Sequence, residues 1–235
     1  MVLETEGYMI KVILWDMDGT ILDFKAAERN AIRKCFEKFQ LGECTDEMIL
    51  EYSALNDNYW KRLELGEITK SRLLVQRFEE FLSSYHLDAS IAADFNREYQ
   101  LRLGDTIYFL DHAYELIQSL QGCVKQYIVT NGALVAQKRK LERSNLLPLI
   151  DGVFISDEIG FEKPAKEFFD YVLQHIGTYT KDEILIVGDS LSSDMLGGVH
   201  VGIQCCWYNP EGKENIDNLP IHYTIQNLNQ IRELL

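Results

Sequence analysis

The sequence predicts an α/β protein in which a doubly wound parallel sheet is interrupted by an all-helical insert. Three observations carry this reading. Four short runs, "IKVILW" (10–15), "YIVT" (127–130), "VFIS" (153–156) and "ILIVGD" (184–189), are continuously apolar and rich in β-branched residues, the pattern of strands covered on both faces. Helix-length amphipathic segments separate the later runs, and such alternation builds parallel βαβ units. The stretch 22–100 shows helical periodicity and no strand run.

Taken in order, the first strand leads directly into Asp16 and Asp18. In the insert, Ile32, Cys35, Phe36 and Phe39 share one helical face, and Leu74, Phe78, Phe81, Leu82 and Tyr85 share another. After the second strand a helix is expected over 133–144. After the third, one is expected over 165–176, with Pro164 at its first turn and Gly177 just past its end. "TKDE" (180–183) spells a capping box, but the strand starting at Ile184 leaves room only for a turn. A short helix over 192–201, a fifth strand "IQCCWY" (203–208), an edge strand "HYTI" (222–225) and a terminal helix over 226–235 complete the chain. The expected domains are a core of 1–21 and 101–235 and a helical domain of 22–100, with no internal repeat and no low-complexity linker.

Composition narrows the partners. With 46% hydrophobic residues, a chain of 235 residues can bury a core large enough for a domain carrying an insert. Its 23 basic and 37 acidic residues give a net charge of −14, which argues against a nucleic acid polymer or an anionic membrane as partner. An anion bound here needs local positive charge. The cysteines, Cys35, Cys44, Cys123, Cys205 and Cys206, are odd in number and form no C-x-x-C pair, so neither a disulfide framework nor a zinc knuckle is expected. Cys205 and Cys206, adjacent on a strand, point to opposite faces and read as packing residues. Residues 1–15 include Glu4 and Glu6 and only a short apolar run, and no window approaches the ~20 apolar residues of a membrane span. The expectation is a soluble, cytoplasmic protein, monomer or homodimer, acting on a small molecule.

In open α/β sheets ligands bind beyond the carboxyl ends of the strands, so what each run delivers there matters most. The first delivers Asp16, Asp18 and Thr20; the second Thr130, Asn131 and Gly132; the fourth Gly188, Asp189 and Ser190, with Asp194 close behind. Lys163 precedes the helix after the third run. Like charges as close as Asp16 and Asp18 repel by roughly 4 kcal/mol at 4 Å and an effective dielectric of about 20. Four carboxylates around one lysine imply a divalent cation, and all-oxygen ligation favours Mg²⁺. A glycine beside a threonine hydroxyl lets backbone N–H groups approach anionic oxygens, and Lys163 adds a point charge for the same oxygens. An aspartate can also accept a phosphoryl group covalently, splitting one hard displacement into two easier ones.

Each motif alone has a plainer reading. D-x-D-G-T is a common turn composition, Asn-Gly is a turn pair, "GDS" can be a helix cap, and a lysine before a proline is usually solvated. A calcium loop is excluded, because the glycine stands fourth and not sixth and Ala27 occupies the place of the required glutamate. His86, His112, His175, His200 and His222 show no metal spacing, and neither a G-x-x-x-x-G-K-[ST] nor a G-x-G-x-x-G match is present. It is the conjunction of four motifs at separate strand ends that makes the functional reading.

In this order "DMDGT", "TNG", "EKP" and "GDSLSSD" resemble the four motifs of the haloacid dehalogenase-like hydrolase superfamily, across the whole core. "DGTILDF", "LNDNYWKRLELGEIT" (55–69) and "FISDEIGFEKPAKEFFDYV" are similar to its pyrimidine 5′-nucleotidase subgroup. The resemblance implies a Rossmann-like core and makes Asp16 the nucleophile and Asp18 the general acid and then the general base. It implies that Thr130 and the amides of Asn131 and Gly132 hold phosphoryl oxygens, and that Lys163 balances negative charge. By the same resemblance Mg²⁺ is held by Asp16, Asp189 and the backbone carbonyl of Asp18, with Asp194 in its outer shell, while Thr20 orients the Asp18 loop. The dehalogenating branch lacks an aspartate at the Asp18 place, so phosphate chemistry is favoured.

The insert falls where this superfamily places a mobile cap that excludes water and reads the leaving group. Asn56, Tyr59, Trp60, Lys61 and Arg62 are the candidates for that reading, Trp60 foremost; Tyr59 and Trp60 serve equally as packing aromatics. The expected function is a Mg²⁺-dependent phosphatase for a small phosphorylated metabolite, a nucleoside 5′-monophosphate, through an aspartyl-phosphate. The rivals are a sugar phosphomutase, a phosphoglycolate-type phosphatase, and a non-catalytic phosphate-binding regulatory protein.

Overall fold

The computed structural model describes residues 9–235. Glu4 and Glu6, which carry part of the expectation of no signal peptide, lie outside the described residues. The strands are β1 (Val12–Trp15), β2 (Lys125–Thr130), β3 (Gly152–Ile155), β4 (Ile184–Gly188), β5 (Gln204–Tyr208) and β6 (Tyr223–Ile225). They form one sheet in the order β3-β2-β1-β4-β5-β6, every pair parallel. β1 and β4 are buried along their whole length, which is why their sequences show no alternation. Strand order reverses at β1, the place where a doubly wound sheet opens a crevice.

The helices are α1 (Phe24–Phe39), α2 (Asp46–Glu64), α3 (Lys70–Ser84), α4 (Ala92–Leu103), α5 (Ala113–Ser119), α6 (Leu134–Ser144), α7 (Ser156–Ile159), α8 (Lys166–His175) and α9 (Leu196–Val201). Pro164 lies outside α8, whose cap is Ala165. "TKDE" is the turn expected, a 3₁₀ stretch over Lys181–Glu183 with the capping box formed. The expected terminal helix is instead a 3₁₀ stretch, Leu228–Glu233. Its buried residues, Leu228 and Ile231, stand three apart, the repeat at which 3₁₀ side chains eclipse.

The chain divides into two compact units. One comprises the segment ending at Leu22, Phe109–Asn131 and Leu146–Leu235, and holds the sheet. On one face Val12, Leu14, Phe168, Phe169, Val172, Ile186 and Cys205 pack as a continuous core. Cys205 and Cys206 are both buried, and all five cysteines are free thiols.

The other unit, Asp23–Tyr108 with Gly132–Asn145, is helical throughout. Asp23 caps α1 by accepting from the Ala26 N–H at 2.9 Å, and Thr45 caps α2 by accepting from Met48 at 3.2 Å. Its core is aromatic, with Phe36, Tyr52, Phe78, Phe81, Phe95 and Tyr99 in one buried cluster and Tyr52 stacked on Phe78 at 5.1 Å. On α3 it is Leu73, not the expected Leu74, that is fully buried.

A polar chain runs through this apolar core. Arg77 Nη1 donates to Asn56 Oδ1 at 2.6 Å and Nη2 to Asn96 Oδ1 at 3.1 Å, while Asn56 Nδ2 donates to Glu28 Oε1 at 2.8 Å. The guanidinium also lies over the rings of Phe78 and Tyr99, at 4.8 and 5.1 Å. One buried network thus ties α1, α2, α3 and α4 together. Burial pushes the Glu28 carboxyl above the usual carboxylate range, Lys25 partly offsetting it.

The expected domain boundary at residue 100 falls inside α4, and the helical unit extends to Tyr108 and takes in α6. Two contacts explain α6's membership. Ala136 joins the aromatic cluster, and the Arg139 guanidinium clasps Asp105 Oδ1 at 2.8 and 2.6 Å. Among the described residues, no helix is long and apolar enough to cross a membrane.

Candidate active site

The β1–β4 pairing brings the first and last sequence motifs together. Trp15 is level with Val187, and the ladder continues one step further, the Asp16 N–H donating to the Val187 carbonyl at 2.9 Å. Asp16 is therefore level with Gly188, and Asp189 follows one residue beyond it on the neighbouring strand. Asp194 joins them from the turn after β4, and one carboxylate oxygen from each of the three lies within 4.8 Å of the others.

The turn that delivers Asp194 departs from the expected α-helix. Leu191–Met195 is a π-helical turn leading into α9, because the N–H groups of Met195 and Leu196 reach five residues back, to the carbonyls of Ser190 and Leu191. Such widened turns recur at functional sites. Ser190 Oγ accepts from the Ser193 N–H at 3.1 Å, and Asp194 Oδ2 accepts from the Ser190 N–H at 3.2 Å.

Lys163 is the positive centre. Its ammonium, 1% exposed, donates to Asp16 Oδ1 at 2.7 Å, to Asp194 Oδ1 at 2.6 Å and to the Val129 carbonyl at 2.9 Å. Burial opposes its charge, but Asp16 and Asp194 outweigh burial and hold it above the usual lysine range. Burial pushes the Asp16 carboxyl well above the carboxylate range; Lys163 pulls it back, while Asp194 and Asp189 push it further. Asp189 is open to solvent on one side yet crowded by protein elsewhere, and that crowding, ahead of the Asp194 charge, pushes its carboxyl up to about 7.

Three carboxylates against one ammonium leave an excess of negative charge. Asp16 Oδ2 is buried with no hydrogen-bond partner, an arrangement costing roughly 1–3 kcal/mol unless something binds it. A hard divalent cation fits this all-oxygen donor set. Asp16, Asp189 and Asp194 each offer one oxygen that could hold it.

The turn Asp16–Leu22 requires glycine at residue 19. Gly19 has φ +93°, and a Cβ there would lie 2.6 Å from Asp189 Oδ2. Thr20 Oγ1 donates to Asp189 Oδ1 at 3.3 Å. Gly188 meets the same demand from the other side, since a Cβ there would lie 2.3 Å from Asp194 Cγ. Gly19→Ala is therefore expected to lower Mg²⁺ affinity at least tenfold by displacing the Asp189 carboxylate, with strain of about 1–3 kcal/mol. Calorimetric Mg²⁺ titration checks it, and unchanged affinity would contradict the packing argument.

Of the residues singled out by sequence, Asp16, Thr20, Lys163, Asp189 and Asp194 are brought together. Asp18 sits half-buried on the turn, its carboxylate outside the three-carboxylate group. Thr130 is buried at the end of β2. The Asn131 side chain turns to Lys163, donating to its carbonyl at 2.8 Å and accepting from its N–H at 2.8 Å. Gly132 opens the second piece of the helical unit, and its carbonyl accepts from Lys70 Nζ at 3.5 Å. Within that unit Trp60 is half-buried on α2 against Tyr59, Leu63, Ile68 and Leu73. Asn56 is spent on Glu28 and Arg77, and Tyr59 donates to Glu80 Oε2 at 2.8 Å, so both carry structural bonds. All five histidines are exposed.

Sequence reading overlooked Trp207, whose Nε1 donates to the Asp189 carbonyl at 2.9 Å, and Ser193, whose Oγ lies 3.4 Å from Asn131 Nδ2. Trp207 lies opposite Gly188 on the adjoining strand, a pairing the sequence does not display.

Residues 10–202 match the haloacid dehalogenase-like hydrolase family. The HAD-hydrolase YfnB of Bacillus subtilis, solved bound to magnesium, superposes with a TM-score of 0.91 at 36% identity, covering 97% of this chain and 99% of that one. The pyrimidine 5′-nucleotidase PynA of Streptococcus pneumoniae is 34% identical over 87% of this chain and 86% of its own length. The pyrimidine 5′-nucleotidase YjjG of Escherichia coli is 29% identical over 95% of this chain and 96% of its own.

Proposed function

The chain belongs to the haloacid dehalogenase-like hydrolases, and on that footing we propose that it is a Mg²⁺-dependent phosphatase of nucleoside 5′-monophosphates, working in a reducing cytoplasm. The observation that carries the phosphatase reading is the gathering of Asp16, Asp189 and Asp194 within 4.8 Å around an orphaned Asp16 oxygen, with Lys163 alongside. Support for the metal comes from the magnesium bound to YfnB, and for the substrate from the activities named for PynA and YjjG. When bound, Mg²⁺ supplies Lewis-acid stabilisation of phosphoryl oxygens.

In this reading the Asp16 carboxylate attacks phosphorus. A carboxylate O–P bond forms, the P–O bond to the nucleoside breaks, and Asp18 gives its proton to the departing oxygen. Asp18 then takes a proton from water, whose oxygen attacks the same phosphorus and releases inorganic phosphate with Asp16 restored. Lys163 favours the ionised form of Asp16 against its burial and balances the charge gained by the phosphoryl oxygens, which Thr130 and the amides of Asn131 and Gly132 receive. The helical unit is assigned to substrate selection, with Trp60 the residue proposed to read the leaving group.

The test is phosphate release from nucleoside 5′-monophosphates, sugar phosphates and phosphoglycolate. Pyrimidine nucleotides are expected to show the highest kcat/KM, activity to vanish with EDTA and to return with Mg²⁺. Isomerised sugar phosphate without phosphate release would mark a mutase. Turnover of nothing in the panel would leave a phosphate-binding protein, and turnover indifferent to chelation would refute the metal assignment.

A further inference from the structure

The Asn131 side chain is spent on its own protein. Its Oδ1 accepts the Lys163 N–H at 2.8 Å and its Nδ2 donates to the Lys163 carbonyl at 2.8 Å, a two-point grip on one residue's backbone. The same Nδ2 lies 3.4 Å from Ser193 Oγ, on the turn that carries Asp194. At the far end of Lys163, all three ammonium protons have acceptors, and one of these is the Val129 carbonyl, two residues before Asn131. The end of β2 therefore holds Lys163 at both its backbone and its charge.

We propose that the Asn131 side chain is a positioning residue for Lys163 and makes no substrate contact of its own, leaving only its backbone N–H for phosphoryl oxygens. A lysine side chain is flexible and its charge compact, so the backbone must be fixed for the ammonium to bridge Asp16 and Asp194. To touch substrate, the side chain would have to surrender the Lys163 peptide. The inference rests on the phosphatase reading for its kinetic part, and its binding part reads independently.

The experiment is a double-mutant cycle over Asn131→Ala, Lys163→Ala and the pair. It is read as kcat and KM with p-nitrophenyl phosphate and as the Kd of inorganic phosphate in Mg²⁺ by calorimetry. Asn131→Ala is expected to lower kcat about 10- to 100-fold, as misplacing a charged group by about 1 Å does. The pair should then match Lys163→Ala within about threefold in both measurements, because a residue acting through another adds nothing once that other is gone. Losses that multiply would show an independent substrate contact and overturn the proposal. So would an Asn131→Ala variant within about threefold of the parent, and so would parental turnover by Lys163→Ala. Should Asn131→Ala lose its circular dichroism, Asn131→Leu runs the same cycle, since it keeps the volume and removes both bonds without adding a charge. An unmodified protein inert toward p-nitrophenyl phosphate and the whole substrate panel would sink the proposed function while the phosphate Kd cycle still decides the role of Asn131.

Discussion

Asp16→Asn is expected to lower turnover of p-nitrophenyl phosphate by about 10⁴- to 10⁶-fold, the range seen when a nucleophile acting within a unit is removed. The change is nearly isosteric, so the loss is chemical. A neutral amide oxygen is a poor nucleophile, and it removes the anion that pairs with Lys163 Nζ at 2.7 Å and offers Oδ2 to a cation. The variant should still fold, because removing one of three crowded carboxylates relieves repulsion while Lys163 keeps Asp194 at 2.6 Å. Phosphate release beside a thermal melt separates the two effects. Near-parental turnover would exclude the covalent route.

Arg77→Ala is expected to destabilise the helical unit by about 3–5 kcal/mol, the sum of a large cavity and buried acceptors left unpaired. Arg77 is 1% exposed, and its loss strips Asn56 Oδ1 of its 2.6 Å donor in the middle of a network spanning four helices. Asn96 Oδ1 fares better, since Gln100 Nε2 also donates to it at 3.2 Å. Arg77→Met, which restores the stem's volume, should recover about half of the loss. Urea unfolding followed by far-ultraviolet dichroism measures both, with separate transitions expected if the two units unfold independently. A loss below about 1 kcal/mol would show that the network is energetically idle.

What the sequence disclosed follows from how directly each feature depends on local chemistry. Strands buried on both faces must be apolar throughout, so β1 and β4 announced themselves, and the polar residues following the first, second and fourth runs marked the candidate site. Amphipathic periodicity shows that a helix has an apolar face but not which neighbour receives it. For that reason α6 read as part of the core, although Ala136 joins the aromatic cluster and Arg139 clasps Asp105. The buried network was illegible for a related reason: Glu28, Asn56 and Arg77 look like surface residues until three-dimensional pairing supplies their partners. The π-helical turn is a backbone hydrogen-bond shift, and the Asn131 grip and the Trp207 contact join side chains to backbone groups distant in sequence, which no periodicity encodes.

The division of the chain also bears on how such an enzyme can be re-engineered or diversify. The polypeptide passes from one unit to the other after Leu22, Tyr108, Asn131 and Asn145. A chimera importing only Asp23–Tyr108 from a relative would bring four helices without the α6 that completes their apolar interior. A faithful transplant must exchange Gly132–Asn145 as well, and that second piece begins one residue after Asn131. The two pieces of the helical unit are thus inherited together, and neither can be shuffled as a separate module.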